Sequence, residues 1–268
     1  MIPVLTVAGS DSSGGAGIQA DLKTFAALGT YGMSCICALT AQNTKGVTMV
    51  VNTPVDMVRA QLEAIFDDIP PKAVKTGMLS SSPIVEAVAD FFSSHKVPLV
   101  VDPVMVATSG AVLLEKEAIQ SYKEKLIPLS TLITPNIPEA EVLSGLSIKN
   151  EEDMKKAARA LMDLGPRAVL VKGGHSVEDA RDILYDGKEF HVFSGKRIST
   201  ENTHGTGCTL SSAIAAGLAK GLSLVGAVGE AKKYMEGAIA KAAVDSVGHG
   251  HGPVHHFWFY GKNWGRME

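Results

Sequence analysis

The stretch His204-Gly205-Thr206-Gly207-Cys208-Thr209-Leu210-Ser211-Ser212 leads directly into an Ala-rich apolar run that predicts a helix. Its two glycines let the backbone approach a ligand closely. The first N–H groups of a helix have no intrahelical partner, and together with the positive end of the helix dipole they form a site for an anion. Cys208 lies at this end, where its thiolate is expected to be favoured over the thiol. An anion site with one reactive side chain predicts group transfer, and phosphate is the group that fits it best.

Along the rest of the chain, apolar runs that predict strands alternate with amphipathic runs that predict helices. The predicted strands are Pro3–Ala8, Met33–Leu39, Ala73–Thr76, Val97–Asp102, Thr131–Thr134 and Ala168–Lys172, followed by a hairpin of Asp182–Tyr185 and Phe190–Phe193. The predicted helices are Ala16–Leu28, Val55–Phe66, Ser82 to about Phe92, Glu151–Leu164, Gly205–Gly221 and Leu224–Val247. This alternation predicts an α/β fold with a central, mostly parallel β-sheet covered by helices on both faces. Because no long linker or repeat divides the chain, we expect a single domain over residues 1–268.

Composition and charge restrict the class of partner. The net charge is -3, so the chain has no general electrostatic attraction for nucleic acid or an anionic membrane. Its 3 cysteines cannot all pair with one another and indicate no secreted disulfide framework. The N-terminus lacks the basic region of a signal peptide, and the longest apolar stretch, Cys208–Ala219, is too short to span a bilayer. We therefore expect a cytoplasmic protein that acts on a small molecule, without a nucleic-acid or membrane partner.

Polar and glycine residues gather where the predicted strands end. In open α/β sheets, ligands bind at the carboxyl ends of the strands. The residues at those ends are Gly9-Ser10-Asp11, Gln42-Asn43, Thr76-Gly77-Met78, Asp102, Asn136, Lys172 and Gly205–Cys208. Their coincidence predicts one binding site at this edge of the sheet.

Charged residues near these strand ends each have two interpretations. Asp102 ends an apolar strand, where its carboxylate could hold Mg²⁺ through water or cap a turn. Asn136 and Glu139 are one helical turn apart, which suits a ligand site and equally a capping box. Lys172 precedes two glycines, so its partner could be a phosphate, although a lysine that extends to the surface gives the same pattern.

Two further polar residues point to the substrate. Gln42 carries a primary amide, which both donates and accepts hydrogen bonds and so suits a heteroaromatic ring with an amino group. Its alternative role is to cap a loop. Asp21 lies on the first predicted helix, where a solvated acid is the more common case.

The glycine-rich segment Gly9–Gly17 follows the first strand. Within it, Gly15–Ala20 matches the dinucleotide pattern G-x-G-x-x-A, but the match begins several residues after the strand and no acid ends a second strand downstream. We therefore favour a loop that covers the substrate. No P-loop motif occurs.

The tail histidines His249, His251, His255 and His256 are joined by no carboxylate or cysteine, so we favour structural roles for them.

The chain resembles the ribokinase-type small-molecule kinases, and most closely the branch that phosphorylates hydroxymethylpyrimidine in thiamine biosynthesis. The resemblance runs from Pro3 to about Phe257. It is carried by Ala8–Asp21, Thr40-Ala41-Gln42-Asn43-Thr44, Lys75-Thr76-Gly77-Met78, Val101-Asp102-Pro103-Val104, Thr134–Ala140, Val171-Lys172-Gly173-Gly174-His175 and Asn202–Thr209.

This resemblance implies a ribokinase-like fold and a substrate site built from five residues. Gly9, Asp21 and Gln42 would hold the pyrimidine, and Met78 and Val104 would form apolar walls. Members of the family phosphorylate the alcohol or its monophosphate, and close relatives act on pyridoxal-type substrates. The resemblance also implies a homodimer, since many relatives dimerise.

For the phosphate side, the resemblance implies ATP and Mg²⁺ as cofactors. Asp102 and Glu139 would organise Mg²⁺ and its waters. The residues expected to contact the ATP phosphates are Asn136, Lys172, Thr206 and Gly207. Gly205, Thr206, Gly207 and Cys208 would form the anion hole for the transferring phosphoryl group.

Ribokinase relatives carry Asp where this chain has Cys208, so we expect Cys208 to act as the base that accepts the alcohol proton. The leading hypothesis is an ATP-dependent kinase of 4-amino-5-hydroxymethyl-2-methylpyrimidine and its monophosphate, with a pyridoxal kinase as the nearest alternative. Three other classes stay open: an NAD-type oxidoreductase using Gly15–Ala20, a hydrolase in which His204 activates Cys208, and a binding protein without catalysis.

Overall fold

The computed structural model describes residues 1–105, 116–174 and 181–260. The strands are β1 (Pro3–Gly9), β2 (Tyr31–Asn43), β3 (Gly46–Asn52), β4 (Ala73–Thr76), β5 (Leu99–Val101), β6 (Leu132–Ile133), β7 (Val169–Val171), β8 (Asp182–Tyr185) and β9 (Phe190–Phe193). The helices are α1 (Gly17–Ala27), α2 (Val55–Asp68), α3 (Ser82–Ser94), α4 (Lys116–Ser121), α5 (Ile137–Ser144), α6 (Glu151–Met162), α7 (Thr206–Ala219) and α8 (Leu224–Ala242). A π-helical turn (Tyr122–Leu126) and a 3-10 turn (Ile127–Leu129) continue from α4.

The described strands form one sheet in the order β3-β2-β1-β4-β5-β6-β7-β8-β9. Pairing is parallel from β2 through β1, β4, β5 and β6 to β7. The outer strands β3, β8 and β9 pair antiparallel with their neighbours. This arrangement confirms the predicted mostly parallel sheet. The carboxyl ends of the parallel strands therefore lie along a single edge.

Side-chain alternation along the central strands divides the core into two clusters. Leu5 and Val7 face one cluster, which packs against α2, α3, α5 and α6. Val4 faces the opposite cluster, which packs against α1, α7 and α8. Since successive strand residues point to opposite faces, each strand must be apolar on both sides. The apolar runs in the sequence are nearly continuous because both sides of the central strands are buried. The prediction of helices on both faces is confirmed.

Several elements differ from their sequence-based bounds. β2 extends to Asn43 because it continues beyond the sheet centre as a ribbon with β3, an edge strand that the sequence pattern did not indicate. α8 ends at Ala242 rather than Val247, since Val244 and Val247 are largely exposed and give a longer helix no apolar contact. Among the described helices, none is long and apolar enough to cross a membrane.

Candidate active site

The N-terminus of α7 lies at the carboxyl edge of the sheet. Gly205 precedes the helix with φ 79°, a left-handed conformation that favours glycine. A Cβ at Gly205 would collide with the Gly15 carbonyl oxygen, so this helix end packs tightly against the glycine-rich loop. Gly207 and Cys208 fall within the first turn, where a helix offers its N–H groups no backbone acceptor. The predicted helix therefore begins at this point, and its binding of an anion stays a prediction.

Asp102 and Lys172 meet beside this helix end. Lys172 Nζ lies 2.8 Å from Asp102 Oδ1, and a Cβ at Gly207 would lie 3.3 Å from that Nζ and 3.4 Å from Asp102 Oδ2. Thr134 Oγ1 donates to Asp102 Oδ1 at 3.1 Å, and Ser211 Oγ donates to Oδ2 at 3.4 Å. The fold therefore brings together a cation, a carboxylate and a helix N-terminus from three distant parts of the sequence.

Lys172 is not a lysine that extends to the surface. Its side chain is largely buried against Asp102. Burial lowers the pKa of Lys172, but the carboxylates of Asp102 and Glu139 outweigh this and raise the pKa above its ordinary value. The ammonium therefore stays charged, as a phosphate-binding group requires.

Asn136 and Glu139 form the capping box that their spacing suggested. Asn136 Oδ1 accepts from the Glu139 N–H at 2.9 Å, and Glu139 Oε2 accepts from the Asn136 N–H at 2.8 Å. The Lys172 N–H donates to the Pro135 carbonyl, so α5 begins directly beside Lys172. Burial raises the pKa of Glu139 to about 7, with the Asp102 charge adding to this and Lys172 opposing it.

Asp11 organises the glycine-rich loop. Its carboxylate accepts from the N–H groups of Ser13 at 2.9 Å, Gly15 at 3.1 Å and Ala16 at 2.8 Å. His204 Nε2 lies 2.7 Å from Asp11 Oδ2, which ties the loop to the residue before the α7 N-terminal glycine. Burial raises the pKa of Asp11, but the bonds from His204 and Ser13 outweigh it and hold that pKa at about 2.

These contacts bear on two alternative functions. The Gly15 and Ala16 N–H groups, which a dinucleotide pyrophosphate would need, already serve Asp11, so the loop geometry does not favour a dinucleotide site. His204 Nε2 is paired with Asp11, and among the hydrogen bonds of the described residues none joins His204 to the Cys208 sulfur, so the hydrolase alternative has no contact to support it. The sequence motif contained Asp11 and His204, but nothing in it indicated that they pair.

The expected substrate residues lie along the same edge. Gly9 and Met78 face each other: the Gly9 N–H donates to the Met78 carbonyl at 3.1 Å, and a Cβ at Gly9 would collide with Met78 Cε. Val104 follows β5 and is half-buried, and its N–H donates to the Asp102 carbonyl. The ends of β1, β4 and β5 thus come together, as their parallel pairing requires.

Gln42 lies at the end of β2, where the pairing with β3 is irregular between Ala41 and Gln42. Thr40 Oγ1 donates to Gln42 Oε1 at 3.1 Å, and Ser12 Oγ lies 2.9 Å from both the Gln42 carbonyl and its backbone nitrogen. The amide is half-buried. Gln42 therefore contacts the glycine-rich loop through Ser12 and keeps part of its side chain accessible to a ligand.

Asp21 does not face solvent, so its interpretation as a solvated acid is wrong. Its side chain is fully buried, and the carboxylate is bound by Thr6 Oγ1 at 2.6 Å, Ser212 Oγ at 2.7 Å and Lys75 Nζ at 2.9 Å. A role of Asp21 in pyrimidine binding stays a prediction, and in this structure the carboxylate lies beneath the site. Lys75 was missed, although a lysine within the buried run Ala73–Thr76 requires an acidic partner.

Cys208 is half-buried at the start of α7. Burial raises the pKa of the Cys208 thiol to about 11, Lys75 opposes this, and the charges of Asp21 and Asp102 add to it. The expectation that the helix end favours the thiolate is therefore wrong in this structure, because desolvation outweighs it. The role of Cys208 as a base stays a prediction.

The tail histidine His256 has a structural contact. Its Nε2 lies 3.1 Å from Thr209 Oγ1 on α7, and Tyr234 Oη donates to its carbonyl. Within the described ranges, the His and acidic side chains close enough to share a metal are Asp186, Glu189 and His191, on the β8–β9 hairpin rather than in the tail.

Comparison with known proteins identifies the family to which this chain belongs. A family model described as phosphomethylpyrimidine kinase matches residues 11–255. A hydroxymethylpyrimidine/phosphomethylpyrimidine kinase of Streptomyces coelicolor is 51% identical over 259 residues, covering 97% of this chain and 96% of that protein.

Two solved structures are similar throughout. A phosphomethylpyrimidine kinase of Clostridium difficile superposes with a TM-score of 0.81 at 50% identity, covering 89% of this chain and 100% of the other. A pyridoxal kinase of Bacillus subtilis in complex with ADP gives a TM-score of 0.87 at 40% identity, covering 97% and 98%. With its ribokinase-like sheet and these matches, this chain belongs to the phosphomethylpyrimidine kinase family, whose members are phosphotransferases.

Proposed function

We propose that this chain, as a single kinase domain over residues 1–268, transfers the γ-phosphoryl group of ATP to 4-amino-5-hydroxymethyl-2-methylpyrimidine and then to the monophosphate. The observation that carries the proposal is the cluster of Lys172, Asp102 and the first turn of α7 within contact of one another. Phosphoryl transfer depends mainly on positioning and on offsetting the charge of phosphate oxygens. A fixed ammonium and a row of helix N–H groups do both.

Lys172, Asn136, Thr206 and Gly207 are the residues we propose for the nucleotide phosphates. The Asn136 side-chain oxygen already accepts the Glu139 N–H at the start of α5. We therefore propose that Asn136 contributes to the phosphate site by positioning α5 and Glu139 beside the phosphates.

The acidic residues of this cluster fit Mg²⁺. Asp102 and Glu139 supply buried carboxylate oxygens, the ligand type that Mg²⁺ prefers, usually through water. When bound, the ion would offset negative charge on the phosphate oxygens. Lys172 holds Asp102 in place, and the capping box holds Glu139.

On the acceptor side, Gln42 is proposed to pair with the ring nitrogen and amino group of the pyrimidine. Gly9, Met78 and Val104 would border the ring. Gly205, Thr206, Gly207 and Cys208 would surround the transferring group. The alcohol oxygen forms a bond to the γ-phosphorus, the bond from that phosphorus to the β–γ bridging oxygen breaks, and the alcohol proton passes to the Cys208 thiolate while ADP leaves.

A pyridoxal kinase activity is the competing proposal, because the Bacillus subtilis pyridoxal kinase is 40% identical over nearly the whole chain. Initial rates with the pyrimidine alcohol and with pyridoxal, at fixed ATP and Mg²⁺, separate the two. We expect a higher kcat/KM for the pyrimidine alcohol. A clear preference for pyridoxal would overturn the proposed acceptor while leaving phosphoryl transfer intact.

We also propose a cytoplasmic homodimer. The exposed side chains Leu39 and Val51 are direct cross-strand partners on the β2–β3 ribbon, which leaves an apolar surface on this edge of the sheet. Burial against a second copy would remove that surface from water.

A further inference from the structure

A fully buried ion pair lies beneath the proposed active site. Lys75 is in the middle of β4 and Asp21 is on α1, and neither side chain is exposed to solvent (0%/0%). Lys75 Nζ lies 3.0 Å from Asp21 Oδ1 and 2.9 Å from Oδ2, so both carboxylate oxygens hold the ammonium. No role in nucleotide or pyrimidine binding accounts for Lys75, because its ammonium has no exposed surface.

The contacts of this pair lead to the catalytic edge. Ser212 lies one helical turn after Cys208 on α7, and its Oγ donates to Asp21 Oδ1 at 2.7 Å. A Cβ at Gly77 would lie 2.7 Å from Lys75 Nζ, so the ammonium sits directly under the backbone between β4 and Met78. The ion pair therefore contacts the helix that carries Cys208 and the strand end that borders the substrate.

The charged groups around Cys208 come from four elements. Lys75 on β4 favours the thiolate, and its effect is the largest among the neighbouring charges. Asp21 on α1 and Asp102 after β5 disfavour the thiolate. Lys172 after β7 also interacts with Cys208, with the sign that favours the thiolate.

A purely structural role does not explain such a pair well. Burying two charges is unfavourable, and well-packed apolar residues usually join a helix to a strand at least as effectively. The buried pair is explained if a fixed positive charge is required at this position for function.

We propose that Lys75 is a positioning residue of the phosphoryl-transfer site: its ammonium, fixed by Asp21 beneath the helix that carries Cys208, stabilises the Cys208 thiolate that then accepts the proton of the alcohol. This role presupposes the proposed function of Cys208 as a base. The effect of the Lys75 charge on the Cys208 thiol can be measured without turnover. The proposed charge effect and the proposed role of Cys208 as a base can therefore be contradicted independently.

The test is the rate at which Cys208 reacts with 2,2′-dipyridyl disulfide at pH 8, with the labelled peptide identified by mass. Lys75→Met should slow labelling of Cys208 by about three-fold for each unit by which the thiol pKa rises, because loss of thiolate exceeds the gain in nucleophilicity. Asp21→Asn should slow labelling less, because the buried Lys75 ammonium loses the carboxylate that keeps it charged while the opposing charge of Asp21 is removed as well. Lys232→Met, which removes the less buried Lys232–Asp182 pair elsewhere in the fold, is the matched control and should leave the rate unchanged.

Slower labelling of Cys208 in Lys75→Met, with a smaller decrease in Asp21→Asn and no change in Lys232→Met, supports the proposal. A general loosening of the core would instead accelerate labelling in both variants and would expose the buried Cys35 and Cys37 to the reagent. That result, or unchanged labelling of Cys208 in both, overturns the proposal. If Lys75→Met does not fold, Asp21→Asn decides: slower labelling of Cys208 supports the proposal, and unchanged or faster labelling overturns it.

Discussion

At the scale of single residues, the site depends on charges that the fold holds in fixed pairs. Lys172 is bound to Asp102, and Lys75 is bound to Asp21. Both ammonium groups stay charged because a carboxylate offsets their burial. A cation that is already oriented costs no reorganisation when phosphate charge develops beside it.

Cys208→Ala is expected to reduce kcat by about 100-fold or more, the usual contribution of a general base. The ATP KM should change little, because the helix N–H groups remain. Steady-state kinetics with the pyrimidine alcohol measure both values, and the circular dichroism spectrum checks folding. Turnover close to that of the unsubstituted protein would remove Cys208 from the role of base.

Asp11 gives a prediction about pH and stability. Its pKa is about 2 in the folded protein against an ordinary 3.8, so its ionised form stabilises the fold above pH 4, and this stabilisation is lost as the pH falls toward 2. The difference corresponds to about 2 kcal/mol near neutral pH. Urea unfolding of the protein and of Asp11→Asn should differ by about this amount at pH 6 and converge between pH 4 and pH 2. A constant difference across that range would contradict the linkage.

At the scale of elements, the contact between the glycine-rich loop and the start of α7 shapes the proposed anion site. Gly205 has no room for a Cβ because the Gly15 carbonyl lies against it, and the Asp11–His204 pair fastens the same two segments together. The loop is thereby placed next to the helix N-terminus.

Gly205→Ala therefore tests this junction, and Gly221→Ala is its matched control. Both glycines have positive φ (79° and 86°), but only Gly205 would bring a Cβ against backbone, since nothing lies within 4 Å of a Cβ at Gly221. Gly221→Ala should lower the free energy of unfolding by about 1 kcal/mol through backbone strain. Gly205→Ala should lower it by more and also reduce turnover, as urea unfolding and kinetics will measure. Equal effects of the two substitutions would mean that the junction is not close-packed.

The sequence predicted elements whose pattern reflects their surroundings. The central strands are apolar on both sides because helices cover both faces, and that signal is local. β3 escaped prediction because several of its side chains are exposed and no buried face imposes a pattern. The short helix α5 was seen only as a capping box, since eight residues give too little periodicity.

The site was predictable only in part, for the same reason. Strand ends gather at one edge by topology, so Asp102 and Lys172 could be brought together from sequence alone. The partners Asp21–Lys75 and Asp11–His204 are separated by 54 and 193 residues, and no local pattern pairs them. The pKa of Cys208 likewise depends on burial, which reverses the effect expected from the helix end.

At the scale of the whole molecule, the exposed face of the β2–β3 ribbon predicts self-association. Met49 and Val51 lie on one face of β3 and are 64% and 56% exposed. Val51→Lys should convert a dimer to a monomer in light scattering after size-exclusion chromatography, because a charge on that face would oppose burial. Val50→Lys, on the opposite face of the same strand, is the control and should leave the dimer intact. A monomeric unsubstituted protein would contradict the proposed homodimer.

The central claim is phosphoryl transfer from ATP to the pyrimidine alcohol and then to its monophosphate. The most direct measurement is incubation of the protein with ATP, Mg²⁺ and 4-amino-5-hydroxymethyl-2-methylpyrimidine, with products resolved by mass. We predict successive appearance of the monophosphate and the diphosphate, each matched by ADP, and loss of both in Lys172→Met. Formation of ADP without any phosphorylated pyrimidine, or no reaction at all, would contradict the claim.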